Sequence, residues 1–330
     1  MDWSLILGNA ARSAIGLETI IYGLAAIGLN VQFGYAGLLN FGQAAFAAIG
    51  AYGIATIVAV AGLPFGVGVL VGLLGAAVFA VVLGIPTLRL RADYLSIATI
   101  AAAEVVRLLF RSATLRQYTG GSNGLTGFAN GFYAANPLPD GTYGIGWWTF
   151  SSRTWWVLLV GWALVVVTSV LVYLLMRSPW GRVLKGIRED EDAVRALGKN
   201  VYAYKMQALV LGGVIGALAG FVFALGRAAV QPDLYGTAFT FFVYTVLLLG
   251  GAARVLGPVV GAAIFWVVLS LTDNVLAQAI SAGYISPSVL SISQAGQVRF
   301  MLVGLALMLL MIFRPQGIFG DRREIALDAR

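Results

Sequence analysis

Charged residues fall in clusters along this chain, and the apolar stretches between the clusters are longer than a soluble helix needs. All 70 residues between Glu18 and Arg89 are uncharged, whereas one membrane crossing takes about 20. Breaks at Gly34-Tyr35-Ala36-Gly37 and Gly62-Leu63-Pro64 divide this run into spans at about 14–32, 39–61 and 65–88. A fourth span, about 93–111, carries Glu104 and Arg107. Residues 112–152 are polar, rich in Asn, Gly, Pro and aromatics, and read as an insertion between spans. The clearest span is 154–176, followed by 178–205, the most charged part of the chain. Further spans read as about 206–226, 236–253, 255–273 and 297–313. The segment 236–253 is short enough for a broken or re-entrant element. The pattern predicts one all-α, polytopic membrane domain over residues 1–330, with about nine spans (eight to ten).

Composition removes the soluble alternatives. Hydrophobic residues make up 60% of the chain and charged ones 11%, at a mean hydropathy of +0.89, where a soluble domain carries roughly 25% charged residues. Too few polar residues are present to cover the core against water, which excludes a soluble enzyme and a disordered or fibrous chain. The net charge of +7 is strung along the gaps between apolar runs, so it speaks for membrane orientation and not for nucleic acid. The chain has no Cys and no His, which removes disulfides, thiol nucleophiles, imidazole catalysis and Cys/His metal sites. No catalytic residue and no metal ligand is expected. Met1 to Ala14 contains Asp2 and no basic stretch ahead of an apolar one, so it does not read as a cleaved signal peptide.

Orientation follows from the Lys/Arg bias. Arg177, Arg182, Lys185, Arg188, Arg195, Lys199 and Lys205 all fall at or within 178–205. Placing that loop in the cytoplasm also puts Arg89, Arg91, Arg254, Arg314, Arg322, Arg323 and Arg330 inside. Arg12, Arg111, Arg116, Arg153, Arg227 and Arg299 then lie outside. The expected arrangement has 112–152 as an extracytoplasmic insertion and the C-terminus in the cytoplasm of a bacterial inner-membrane protein.

Two constellations stand out. Asn30, Gln32, Asn40 and Gln43 are amides in or near hydrocarbon, where each needs a partner or water. With Gly34, Gly37 and Gly42 they look like an unwound connection between two helices, tolerated only if buried or lining a cavity. They either bond between helices or line a translocation path. Glu104 and Arg107, three apart on one helix face, form a structural ion pair or supply a coupling carboxylate. In the charged loop, acids at 189–192 followed by Arg195 and Lys199 suit the dipole of one short helix. Ala193, Val194, Ala196 and Leu197 give it a small apolar face, and Gly198 suits its C-terminal cap. Such a helix either lies at the membrane interface or is gripped by another protein.

The residues of this loop, Glu189-Asp-Glu-Asp-Ala-Val-Arg-Ala-Leu-Gly198, resemble the coupling loop of the branched-chain amino acid ABC importer permeases. Ser178-Pro-Trp-Gly-Arg182 and Tyr204-Lys205 belong to the same pattern, as does the block Gly28–Tyr52. Leu88–Leu95 with Glu104-Val-Val-Arg107, and Thr119-Gly-Gly-Ser-Asn-Gly-Leu125, are further matches, so the likeness runs from about residue 20 to 315. Within the family the chain is most similar to the LivM-type subunit. One departure is Gln43, where many relatives carry His; any role of that imidazole cannot apply here.

The resemblance implies a half-channel without chemistry of its own. A second homologous (LivH-type) permease would complete the path, two ATP-binding subunits would drive it, and an extracytoplasmic binding protein would deliver the substrate. Contacts to the ATPase would come from Gly181, Arg182, Arg188, Glu189, Asp190, Glu191, Ala193, Ala196, Leu197 and Gly198. Path candidates are Asn30, Gln32, Asn40, Gln43 and Glu104. No cofactor is expected on this chain, ATP and Mg being used by the partners; no Gly-x-x-x-x-Gly-Lys-Ser/Thr phosphate loop occurs in the sequence. Urea and short-amide importers have permeases of similar pattern and form the nearest alternative. A secondary transporter acting alone is the alternative from a different class.

Overall fold

The computed structural model describes residues 2–90, 92–282, 284 and 317–320, with scattered positions between 296 and 313. Two helices open the chain. α1 (Trp3–Ile15) is capped by the Asp2 carboxylate, which accepts from the Ser4 and Leu5 amides. Gly16, in extended conformation, breaks it from α2 (Leu17–Leu29), which continues as a π-helical turn over Asn30–Tyr35. After an irregular stretch come α3 (Gln43–Ala55), with a π turn at Thr56–Val60, then α4 (Phe65–Thr87) and α5 (Ala92–Arg111).

The polar insertion holds two short helices, α6 (Arg116–Thr119) and α7 (Asn130–Ala134), and two-residue strands. β1 (Leu125–Thr126) pairs antiparallel with β4 (Ala229–Val230), and β2 (Thr142–Tyr143) with β3 (Phe150–Ser151). The chain then runs through α8 (Ser152–Arg177), α9 (Pro179–Glu189), α10 (Glu191–Ala196), α11 (Val201–Arg227), α12 (Thr237–Gly250) and α13 (Gly257–Ser281).

Among the described residues, six helical segments are long and apolar enough to cross a membrane, Trp3–Tyr35, Gln43–Val60, Phe65–Thr87, Ser152–Arg177, Val201–Arg227 and Gly257–Ser281; α12 is a shorter apolar helix. The expected polytopic helical fold is what is seen. Helix α5 occupies the fourth expected span but carries Asp93, Glu104, Arg107 and Arg111, and it stands at the edge of the bundle. The first expected span, 14–32, differs in extent. The helix at that place runs to Tyr35, and a separate helix, α1, precedes it and packs along α13 through an Asn9–Asn274 side-chain bond of 2.8 Å. The expected span at 297–313 and the arginines at 91, 299, 314, 322, 323 and 330 lie wholly or mostly outside the described residues.

Helix α11 is the core of the bundle, packed on α2, α3 and α4. Lipid supplies no hydrophobic drive for helices to associate, so backbones must approach closely for dispersion to hold them. A Cβ on Gly28 would lie 2.4 Å from the Gly212 carbonyl, one on Gly50 2.4 Å from that of Ala217, and one on Gly220 1.9 Å from that of Ala47. Small residues at these crossings are therefore a packing requirement. The outward faces of α4 and α8 expose Leu70, Leu74, Val78, Val166, Val167 and Leu174, as expected of helices bounded by lipid.

Candidate functional site

Between α2 and α3 the chain is not helical, yet Leu38 and Asn40 are buried. Every exposed backbone amide at such a depth must find a partner, and here side chains provide several. The Phe41 amide donates to the Thr99 hydroxyl (2.9 Å), that of Gly42 to Asn40 Oδ1 (2.8 Å), and that of Ala44 to the Thr240 hydroxyl (3.0 Å). The Asn40 carbonyl accepts from the Tyr244 hydroxyl at 3.0 Å. Leu38 closes on the Gln32 carbonyl at 2.8 Å. The joint is thus held by α5 on one side and α12 on the other.

The four amides expected from sequence are gathered here, all buried. Gln32 donates to the Leu209 carbonyl (3.0 Å) and accepts from Asn40 Nδ2 (2.8 Å). Asn30 forms a clamp: its Nδ2 donates to the Arg254 carbonyl and its Oδ1 accepts from the Ala253 amide, each at 2.8 Å. Ala253 has φ +58, a left-handed conformation that costs a non-glycine residue about 1–2 kcal/mol. Gly34 leaves the room for this clamp, since a Cβ there would lie 2.0 Å from Asn30 Oδ1. Gln43 donates to the Ala25 carbonyl at 3.1 Å and, more weakly, to that of Gly212 at 3.4 Å, while its Oε1 has no partner in the structure.

Glu104 lies apart from these amides, near the end of α5 that faces the insertion. It is paired with Arg107 through two guanidinium nitrogens, at 2.5 and 3.0 Å. Arg107 also reaches Asp233 at 2.5 Å, and Arg111 approaches the same oxygen at 3.4 Å. The pair therefore belongs to a four-charge network tying α5 to the turn before α12. Glu104 and Asp233 are 39% and 55% exposed, so water screens much of their interaction.

At the opposite end of the bundle the charged loop is ordered as two helices. One helix over 189–198 was expected; the structure breaks it at Asp190, which adopts an extended conformation and caps α10 by accepting from the Asp192 and Ala193 amides, both at 3.0 Å. Glu189 ends α9, whose Gly181, Leu184 and Ile187 are buried. A Cβ on Gly181 would lie 2.5 Å from Met176, so the turn from α8 into α9 closes tightly there. α10 ends as expected: Gly198 takes φ +74, its amide bonds to Arg195, and that of Lys199 to Val194. Glu191 is held by Arg195 at 2.9 Å and by Lys205. Ala193, Ala196, Leu197 and Arg182 are exposed, Leu197 by 80%.

One contact joins the two regions. Arg188 Nη1, at the end of α9, donates to the Gly34 carbonyl at 2.6 Å. That carbonyl belongs to the π turn that leads into the buried joint, so α9 grips the joint at its start.

Sequence reasoning missed Thr99, Thr240, Tyr244 and Asp233. Hydroxyls on apolar helices carry little signal alone. Asp233, however, is the only acid between Asp192 and Asp273, which marks it as a partner in search of a cation.

With this geometry in view, the sequence profile described as branched-chain amino acid transport system / permease component matches residues 13–312. The high-affinity branched-chain amino acid transport system permease protein LivM of Salmonella typhimurium is 33% identical over 315 residues, covering 92% of this chain and 69% of that one. The protein of the same description from Escherichia coli is 32% identical over 318 residues, with the same two coverages. The LivM permease protein of Methanocaldococcus jannaschii is 26% identical over 345 residues, covering 92% and 91%.

Proposed function

This chain belongs to the family of branched-chain amino acid transport system permease components, and on that premise we propose that it forms one half of the membrane path of an ATP-driven importer of branched-chain amino acids. The observation that carries the mechanism is the bond from Arg188 to the Gly34 carbonyl. In this reading a LivH-type permease supplies the other half, a binding protein delivers substrate, and two ATP-binding subunits hydrolyse ATP with Mg. The α9–α10 loop and the C-terminus face the cytoplasm.

The geometry supports the following course of events. An ATPase seated on the exposed face of α10, at Ala193, Ala196 and Leu197, displaces α9 when its own halves close. Arg188 carries that displacement to Gly34, where the π turn meets the unwound joint. The joint is irregular backbone within the bundle, and its bonds to Thr99 and Thr240 link it to α5 and α12. Asn30, Gln32, Asn40 and Gln43 hold the joint together in the state described; its rearrangement would free their amides toward the path. A zwitterion with an aliphatic side chain suits a route of amides, backbone groups and apolar walls.

A secondary transporter acting alone would need buried ionisable groups. The fully buried polar side chains among the described residues are amides and hydroxyls, which favours an external energy source. Reconstituted by itself in liposomes, the chain should take up no leucine under a proton or sodium gradient. With its ATP-binding subunits, companion permease and binding protein, it should do so on addition of ATP. Gradient-driven uptake by the lone chain would overturn the reading, and uptake of urea but not leucine by the assembly would reassign the substrate.

A further inference from the structure

Where α4 ends and α11 begins, the surface holds a groove of about 600 Å³. Arg89, Arg195, Lys199 and Lys205 line it together with Tyr202, and Glu191 is the one acid among its lining residues. Glu191 is already engaged by Arg195 and Lys205, and Arg195 is held by Asp192 as well at 2.7 Å, so the excess rests on Arg89 and Lys199. Arg89 is exposed, its guanidinium 5.8 Å from the centre of the Tyr202 ring. Lys199 is exposed and lines the groove with it. The groove therefore carries an excess of positive charge that the described part of the chain does not neutralise.

Its position says what kind of anion fits. Arg89 follows directly on α4, and the Tyr202 hydroxyl meets the Ile85 carbonyl at 3.5 Å, which places the groove at the foot of that helix. Upward from Arg89, in steps of four and three residues, run Ile85, Val82, Val78, Leu74 and Leu70, all 53–64% exposed. Such steps keep side chains on one side of a helix, so an apolar stripe along α4 leads down to Arg89, which lines the groove. A free phosphate would use the cations and ignore the stripe. A zwitterionic lipid would use the stripe and gain little from the cations. An anionic phospholipid uses both.

We propose that this groove binds the headgroup of an anionic phospholipid, with its acyl chains lying along α4. The bound lipid touches α10 through Arg195, so it braces the loop that in the proposed function meets the ATPase. Binding itself does not depend on that function or on which leaflet the groove faces.

The test uses the assembled transporter in mild detergent, titrated with phosphatidylglycerol or phosphatidylcholine and read by native mass spectrometry. Phosphatidylglycerol should remain bound and phosphatidylcholine should not. The double variant Arg89→Gln/Lys199→Gln should bind phosphatidylglycerol at least about tenfold more weakly. Arg89→Lys/Lys199→Arg, which keeps the charge, and Arg116→Gln, at the other end of the bundle, should bind like the parent. Equal retention of the two lipids, or undiminished binding by the double variant, overturns the proposal. So does phosphatidylglycerol binding to the isolated permease that is lost on assembly, because the groove is then the seat of an acidic ATPase segment. So does competition by inorganic phosphate as strong as that by the lipid. A separate readout, ATP hydrolysis in nanodiscs with and without phosphatidylglycerol, should show stimulation in the parent that the double variant lacks. Failure of that readout with intact lipid binding would count against the coupling role of α10 and leave the site standing.

Discussion

At the scale of single residues, the joint between α2 and α3 is a problem of hydrogen-bond supply at membrane depth. Asn30 shows the solution most clearly, because one amide satisfies both a carbonyl and an amide of the 253–254 turn and holds Ala253 in a left-handed conformation. Gly34→Ala would drive the Asn30 side chain out and take from the part-buried Ala253 amide and Arg254 carbonyl the partner they have in Asn30, at a cost of up to about 1–3 kcal/mol each. We expect a clear fall in the thermal midpoint of the detergent-solubilised protein. Gly66→Ala, where a Cβ meets nothing within 4 Å, serves as the comparison and should stay within about 0.5 kcal/mol of the parent. Equal midpoints for the two variants would mean that the clamp does not matter to stability. Ala253→Gly removes strain that exceeds the unfolded-state entropy cost of glycine, so it should stabilise by up to about 1 kcal/mol; a lower melting midpoint would mean that the left-handed turn stores no strain.

Among the elements, α10 makes the strongest claim. It has six residues, too few to be stable alone, and it depends on the Asp190 cap, the Gly198 terminus and the ion pairs of Glu191. Those supports lie on its ends and inner side, while Ala193, Ala196 and Leu197 are left exposed. A groove in a partner can close on small residues, and a bulky charge there blocks closure. Ala196→Glu should leave the protein inserted and abundant but abolish transport, with loss of co-purifying ATPase or of substrate-stimulated ATP hydrolysis. Because Ala196 is exposed among the described residues, a helix merely resting at the membrane surface would tolerate the change. Parental co-purification together with parental hydrolysis would remove α10 from the coupling path.

For the molecule as a whole, connectivity places the insertion 112–152 and the α8–α11 loop at opposite ends of the bundle. Thr56 bonds to the Tyr118 carbonyl and Trp148 to that of Ala11 at one end, and Arg188 bonds to Gly34 at the other. The Lys/Arg bias then predicts which end faces the cytoplasm. The chain has no native Cys, so Asn130→Cys and Lys199→Cys report separately on the two ends through an impermeant thiol reagent. In intact cells only Asn130→Cys should label. The reverse pattern would invert the orientation and with it the assignment of α10 to an ATPase.

How much of this was legible beforehand depended on the range of the interaction involved. Hydropathy and charge spacing act over a single helix, and they determined the helical class, the break at 62–64, the polar insertion and the capped end of α10; the break expected at 34–37 falls a little later, after the π turn ends at Tyr35. The presence of amides in hydrocarbon also stood out, because each must be satisfied wherever it sits. What satisfies them did not, since Gln32 meets Leu209 and Asn30 meets Arg254, more than 170 positions away in the chain. The break at Asp190 went unseen because a run of four acids suits the first turn of one helix as well as the cap of a second; the folded chain uses Asp190 as that cap, accepting from the Asp192 and Ala193 amides. Asp233 joined Arg107 and Arg111 by tertiary folding alone. Local pattern decides which segments are helices because each helix satisfies its own backbone; which carbonyl an interior side chain reaches is decided by crossings that only the folded bundle creates.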